Sequence, residues 1–315
     1  VYRKQPAIEI PKGLEYLMDD ADGAGVPIFQ QSQKVTGATT KKGRHALYVD
    51  YPQTEGATTK AKQKAESIRA NILSIDAKSV INWKTTKIGG IHKLSLVVVF
   101  ESTKEDTDDG FGVVTIDQHR ALRLIDGVYV VEVWRKKDDS KDSEWVLFSS
   151  HSPLTGKGVV WNEIPFTFVG AENNDPDVDD CPILDMAIVN LAHYRNSADY
   201  EDSVFYTGQP QPWASGLTQQ WVDMLKEQGV VIGSRTLLPL PEGGAFGFAQ
   251  AQPNSLVKEA MDQKEKQMVA LGARLIEKGQ AVKTATEAQN DSEIEHSVLS
   301  VVAGNVSAGY VKAIV

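Results

Sequence analysis

Hydrophobic and polar positions change rhythm several times along this chain. From Pro11 to Asp20 the apolar Leu14, Leu17 and Met18 recur at helical spacing and predict a short amphipathic helix, closed by the turn Asp22-Gly23-Ala24-Gly25. Gly43 to Tyr51 alternates instead, Arg44, Ala46, Tyr48 and Asp50 against His45, Leu47, Val49 and Tyr51, which predicts a strand ending at Pro52. A lysine-rich helix is expected across Ala57 to Ala70. Between Lys78 and Gly170, β-branched and aromatic residues come in short runs: Val80 to Trp83, Leu94 to Glu101, Ala121 to Ile125, Val128 to Arg135, Trp145 to Ser150 and Ile164 to Val169. Asp126-Gly127 between two of these runs is a strong hairpin signal, so the region reads as antiparallel sheet with a solvated acidic loop over Thr103 to Gly110.

Past residue 170 the period becomes helical. Asp180 suits an N-cap, Pro182 a first turn, and the run Ile183 to Phe205 holds neither glycine nor proline, predicting a helix of about 25 residues and about 37 Å. Its polar stripe (Asp185, Asn196, Asp199, Ser203) is narrow, and Ile183, Leu184, Met186, Ile188, Leu191, Tyr194, Tyr200 and Phe205 cover most of the rest, so burial between neighbours on several sides is expected. Gly208 to Gly216 cannot continue a helix, and Leu217 to Gln228 forms a short one carrying Trp221. Val230 to Pro239 and Ala245 to Gln250, on either side of Pro241-Glu-Gly-Gly244, read as a small hairpin. Ser255 opens a second long helix to about Ile276, Glu277-Lys278-Gly279-Gln280 interrupts it, and Thr284-Ala-Thr-Glu287 is a capping box that opens the last helix. The fold class is α+β.

Charge sharpens this picture. The 315 residues carry 33 basic and 42 acidic side chains, a net charge of -9. That argues against a surface that grips nucleic acid all over by releasing counterions. Residues 171 to 202 alone hold nine acids against one base, Arg195. They read either as a solvated linker followed by a polar helix face, or as an acidic surface with a task. No apolar run approaches the ~18 residues of a membrane span, and the single Cys181 excludes an internal disulfide, so a soluble intracellular protein is expected. The opening Val1 and the uncapped Val315 suggest truncation at both ends.

A search for chemistry returns near misses. Leu154-Thr-Gly-Lys157-Gly lacks the earlier glycine and the hydroxyl residue of a phosphate-cradling loop. Gly304-Asn-Val-Ser307-Ala-Gly309 has one residue too many for a nucleophile elbow, and reads as close helix packing. Asp106-Thr-Asp108-Asp109-Gly110 lacks the third alternate oxygen ligand of a calcium loop. The six histidines are scattered and give no metal spacing. A passive role is expected for Cys181. No cofactor, metal or catalytic residue is implied.

The order of elements and several stretches resemble a known family, the portal (head-to-tail connector) proteins of tailed bacteriophages. The resemblance is carried by Val1-Tyr-Arg-Lys-Gln-Pro6, Gly43-Arg44 through Asp50-Tyr-Pro52, Ile81-Asn-Trp83, Ile164-Pro165-Phe166, Thr207-Gly208-Gln209-Pro210, Ile232-Gly233-Ser234 and Leu271-Gly-Ala-Arg-Leu275. Its most specific part is Leu191-Ala-His-Tyr-Arg-Asn-Ser-Ala-Asp-Tyr200. It implies a mixed helix and antiparallel-sheet wing over 1–170, an acidic linker and first stem helix over 171–206, and a small α/β clip over 207–252. A second stem helix over 253–276, a tunnel loop over 277–283 and a long helix returning to the wing over 284–315 complete it. Relative to the family, the upstream wing helices and downstream crown lie outside this sequence.

The same resemblance implies a non-enzymatic subunit of a homo-oligomeric, dodecameric ring at a capsid vertex of the virion, assembled in the host cytoplasm. Double-stranded DNA passes through it transiently and without sequence preference. Its partners are the terminase large subunit, head-tail adaptors and the major capsid protein, with no membrane. Lys278, Gly279, Gln280 and Lys283 are expected at the DNA channel, unless that break is only a turn. Asp185, Asp199 and Asp202 are expected to form an acidic stem that repels phosphates, and Leu191 and Tyr194 to pack subunit against subunit. Trp221, Lys226 and Arg235 are expected on a partner-binding clip surface, with Trp213 as a core residue of the clip. Two other readings stay open: a metal-dependent intracellular hydrolase using the 171–202 carboxylates, and a different phage head or tail structural protein.

Overall fold

The structure, a computed structural model, describes residues 8–52, 68–107, 109–138, 143–155, 158–229, 239–250, 255–276 and 297–315. Its elements are α1 (Ile28–Lys42), β1 (Arg44–Asp50), β2 (Asn71–Asp76), β3 (Val80–Ile88), β4 (Ile91–Asp106), β5 (Val113–Ile125), β6 (Val128–Lys136), β7 (Trp145–His151) and β8 (Phe166–Gly170). They continue with α2 (Leu184–Gly208), β9 (Gln211–Ser215), α3 (Gln219–Gln228), β10 (Ala245–Ala249), α4 (Leu256–Arg274) and α5 (Val298–Ile314). The class is α+β, as the sequence predicts. The chain divides into two units, Val1–Leu184 with Arg274–Val315, and Asp185–Ala273.

The first unit is built around β1. A three-stranded antiparallel sheet of order β2-β1-β8 carries α1 and α5 on one face and a five-stranded meander, β3-β4-β5-β6-β7, on the other. Leu47 packs with Val35, Val169, Val302 and Tyr310 on the helix side, while Ala46 and Tyr48 join Val97, Leu122, Tyr129 and Val131 on the sheet side. Burial on two faces removes the need for alternation. The first five residues of β1 and all five of β8 are buried.

Some of those buried residues are polar, and desolvation obliges each to find a partner. The Arg44 guanidinium stacks on Trp83 at 4.0 Å and Phe168 at 4.7 Å, and donates to the Pro176 carbonyl at 2.9 Å. Gln31 of α1 donates to the Ile72 carbonyl (2.6 Å) and accepts from the Tyr310 hydroxyl (2.9 Å), tying α1, β2 and α5 together. Between the sheets, the Tyr48 and Tyr129 hydroxyls meet at 3.1 Å, and Arg120 reaches Glu101 (3.0 Å) and Asp50 (3.5 Å).

Several expectations are corrected. Pro11 to Asp20 contains only a single 3-10 turn, Glu15–Met18, because the Asp20 carboxylate accepts from the Gly23 and Gly25 amides and turns the chain. The sequence pattern missed α1, whose buried face interrupts Ile28 and Val35 with Gln31, Thr36 and Thr39, and it missed the short β2. The acidic loop expected over Thr103 to Gly110 is strand as far as Asp106: the ladder runs from Leu96↔Arg123 out to Asp106↔Val113. The helix expected over 57–70 falls largely outside the described residues, and 68–70 are not helical.

The stretch 171–181 is folded onto the first unit and is not a free linker. Ala171 donates to the Gly43 carbonyl, the Asp179 carboxylate accepts from the Glu172 (2.7 Å) and Asn173 (3.3 Å) amides, and Cys181 Sγ donates to the Lys41 carbonyl at 2.9 Å. Asn174 Nδ2 donates to the Asn305 carbonyl while Asn305 Nδ2 donates to the Gly170 carbonyl, locking this stretch to α5. The close approach needs glycine. Gly43 ends α1 at φ +74°, and a Cβ there would collide with the Asp179 carbonyl.

Gly43→Ala should therefore cost about 3 kcal/mol through left-handed strain and that backbone clash. Gly37→Ala, in the same helix with open space around it, should stabilise by up to about 1 kcal/mol. Urea unfolding midpoints of the two variants should move in opposite directions.

His45 gives an acid-sensitive element. Burial pushes its pKa down to about 4, helped by Lys34 and Lys42 and opposed by Asp76. A neutral His45 thus contributes stability that is complete above the unfolded pKa of about 6.5 and is lost as pH falls toward 4, a change of about 3 kcal/mol. Unfolding midpoints at pH 7, 5 and 4 should show this loss, and His45→Leu should flatten it.

Candidate functional site

The second unit has little interior. Residues 185–273 hold most of the 25-residue α2, the two-stranded antiparallel sheet β9-β10, the short α3 and nearly all of α4. No residue of α2 or α4 is buried among the described residues. The absence of glycine and proline before Gly208 lets α2 run for about 37 Å. It starts at Leu184, past both Asp180 and Pro182, so the expected cap and first-turn proline lie in the preceding turn.

One side of α2 meets α4, where His193 Nε2 lies 3.4 Å from Glu265 Oε1. The opposite side is apolar and open. Leu191 is two residues, about 200°, round the helix from His193. Leu184, Ile188, Leu191, Tyr194 and Phe205 follow one another on that side, Leu191 being 51% and Tyr194 72% exposed. Among the described residues the burial expected on several sides is not supplied, α2 having no buried residue.

Asp185 and Asp199 lie at the edge of this apolar side, and Asp202 lies within it near its C-terminal end. Asp185, Asp199 and Asp202 are all exposed. Asp185 and Asp199 are about 40° apart around the helix and about 21 Å apart along it, with Asp202 a further 60° or about that round, toward the apolar residues. With Glu201 they give α2 four carboxylates against Arg195 alone.

Ala245–Ala249 pairs with Gln211–Ser215, while residues 230–238, the other half of the expected hairpin, lie outside the described residues, Arg235 among them. The side chains of β10 fit this pairing: Phe246 and Phe248 meet edge-on at 5.3 Å, and Gly247 leaves room for the Trp213 indole, which a Cβ there would touch at 3.0 Å. Trp213 is nonetheless 46% exposed, so it is not the closed core expected of it. Gln250 Nε2 donates to the Thr207 carbonyl at 3.0 Å, joining the end of β10 to the last turn of α2. On α3, Trp221 is half-buried and Lys226 exposed in the last turn. Lys278, Gly279, Gln280 and Lys283, with the capping box at 284–287, lie outside the described residues; within them the last helix begins at Val298, capped by the Ser297 hydroxyl.

Among the described residues no group of three or more His, Cys, Asp or Glu is placed to hold a metal ion, and no helix is long and apolar enough to cross a membrane. Of the carboxylates over 171–202 that the hydrolase reading uses, that of Asp179 accepts from two backbone amides. Sequence reading missed Arg44, Asn305 and the glycines that seat the stretch 171–181. An arginine in a strand otherwise bound for the core was their one visible signal.

Residues 182–315 match a family model described as "Domain of unknown function (DUF4055)". The match opens two residues before α2 and includes the whole second unit. No curated protein matches the chain. Among solved structures the chain is similar to one in the virion of a native gene transfer agent particle, with a TM-score of 0.44 and 12% identity, covering 95% of this chain and 71% of that one.

Proposed function

We propose that this chain is a non-enzymatic structural subunit of a phage-like virion, and within it a portal subunit whose copies form a ring around passing double-stranded DNA. The observation that carries the reading is α2. A helix of 25 residues with an uncovered apolar stripe and carboxylates along its edge is unsuited to a monomer. In a ring, each apolar stripe is covered by the next copy, and the carboxylates of all copies line up. Such a surface repels phosphate and adds no counterion-release affinity, so a duplex slides past it. The family resemblance supplies the partners: terminase large subunit and head-tail adaptors at the clip through Trp221, Lys226 and Arg235, and the major capsid protein around the wing. It also places the reading in the virion at a capsid vertex.

Electron microscopy of the purified protein should show rings with a central hole wide enough for a duplex; a small compact oligomer would return the hydrolase reading to the front. Leu191→Asp places an unpaired charge in the subunit contact and should weaken it by several kcal/mol, about 3 to 5. The substituted chain should keep its own fold by circular dichroism while rings fall to smaller species in analytical ultracentrifugation. Intact rings of unchanged thermal stability would place the contact elsewhere.

The segment 277–283 supplies the expected channel cations. Two lysines attract phosphate weakly and under salt screening, and no arginine or amide cluster is present there to read bases. Lys278→Ala with Lys283→Ala should leave assembly intact and change the length of DNA packaged, not which DNA is taken. Unaltered genome length would make the segment a plain helix connection.

A further inference from the structure

We infer that the wing of one copy docks on the next through Phe111, which a projecting β-ribbon presents to a basic, aromatic groove on the neighbouring wing. The inference deepens the ring reading, on which closure of the contact into a ring rests; the contact itself is argued from the ribbon and the groove.

The ribbon is the far end of β4 and β5. β3 pairs with β4 no further than Val99, and β6 pairs with β5 no further than Gln118, yet β4 and β5 stay paired to Asp106↔Val113. Among the described residues, five residue pairs, about 17 Å, therefore project as two strands without a third. Two unsupported strands are marginal in water, and these carry exposed Val113 and Val114. At the tip Phe111 is 95% exposed. The turn that holds it is built. The Thr107 hydroxyl donates to the Asp109 carboxylate, which accepts the Phe111 amide at 3.1 Å, and the Gly112 amide donates to Thr107 Oγ1 at 2.8 Å. An ordered turn that offers a phenylalanine to solvent has the form of an anchor awaiting a pocket.

A fitting pocket lies at the other end of the same strand. A groove of about 710 Å³ is lined by Trp83, Lys84, Ile91, Lys93, Trp161 and Lys312, among others, with Ile91 65% exposed at the β3–β4 turn. Glu163 and Asp177 also line it, Glu163 lying 3.9 Å from Lys93. The two ends of β4 are oppositely charged. Residues 77 to 100 contain Lys78, Lys84, Lys87 and Lys93 and no acid, whereas Glu105, Asp106 and Asp109 flank the tip. Fifteen residues of strand, about 50 Å, separate Ile91 from Asp106, so a chain does not reach its own groove. A second copy beside it does. Complementary patches at opposite ends of one body make a head-to-tail contact, the kind that closes into rings.

The test incorporates p-benzoylphenylalanine at position 111 of the full chain and maps the photo-crosslinks by mass spectrometry. Crosslinks to the Trp83, Ile91 or Trp161 region are expected, and the span of about 50 Å makes them intermolecular. Phe111→Ala should raise the protein concentration needed for assembly about tenfold or more, without changing the thermal melting of the dissociated chain. Lys84→Glu with Lys87→Glu should weaken assembly similarly, and mixing in chains with Asp106→Lys and Asp109→Lys should restore it. Crosslinks only elsewhere on this chain, only to another virion protein, or absent altogether while wild-type rings form, overturn the contact and leave the ring reading standing. A wild-type protein that stays monomeric at every concentration overturns both.

Discussion

A strand with no free face sets the terms for the first unit. Because β1 is covered by helices on one side and by a five-stranded sheet on the other, leaving a polar group it carries inward without a partner is costly. Arg44 answers with two aromatic faces and the Pro176 carbonyl, and His45 by staying neutral beside Ser74, at 2.8 Å. These matches reach outward. The Pro176 carbonyl belongs to the acidic stretch, so the buried arginine also helps fix the segment that leads into α2. Gly43 and Gly170 leave the space into which that segment fits.

The second unit follows the opposite rule. Its long helices bury nothing completely, and its apolar residues remain in contact with solvent. An isolated helix gains little from propensity and most of its stability from packing an apolar face. Ile188, Leu191 and Tyr194 recur one turn apart on the side of α2 away from His193, so the chain retains a packing face that it does not itself fill. Assembly with further copies, as proposed above, would cover that face.

Both proposed contacts between copies share a physical logic. Each places apolar groups where the single chain leaves them wet, and each sets charge beside them: carboxylates on α2, and opposite charges at the two ends of β4. The apolar part supplies affinity while the charge governs register and what is turned away.

Local physics was enough to read the α+β class, the antiparallel sheet from residue 80 onward, and the extents of α2, α3 and α4 to within a few residues. Turn dipeptides, β-branched runs and a stretch free of helix breakers act over a few neighbouring positions, so they are written in the amino-acid order. The concentration of acid over 171–202 was equally plain. Long-range packing had to supply the rest. The buried face of α1 mixes Ile28 and Val35 with Gln31, Thr36 and Thr39, and the fitness of Gln31 for burial rests on a partner as distant as Tyr310. Ala245–Ala249 pairs with Gln211–Ser215 because strand choice across so long a gap is made by the side chains that fit together. Packing also separated Glu172 to Asp180, a stretch held to the first unit by hydrogen bonds, from Asp185, Asp199 and Asp202, left in solvent. Charge is legible in a sequence, but whether a carboxylate is engaged depends on what the rest of the chain brings beside it.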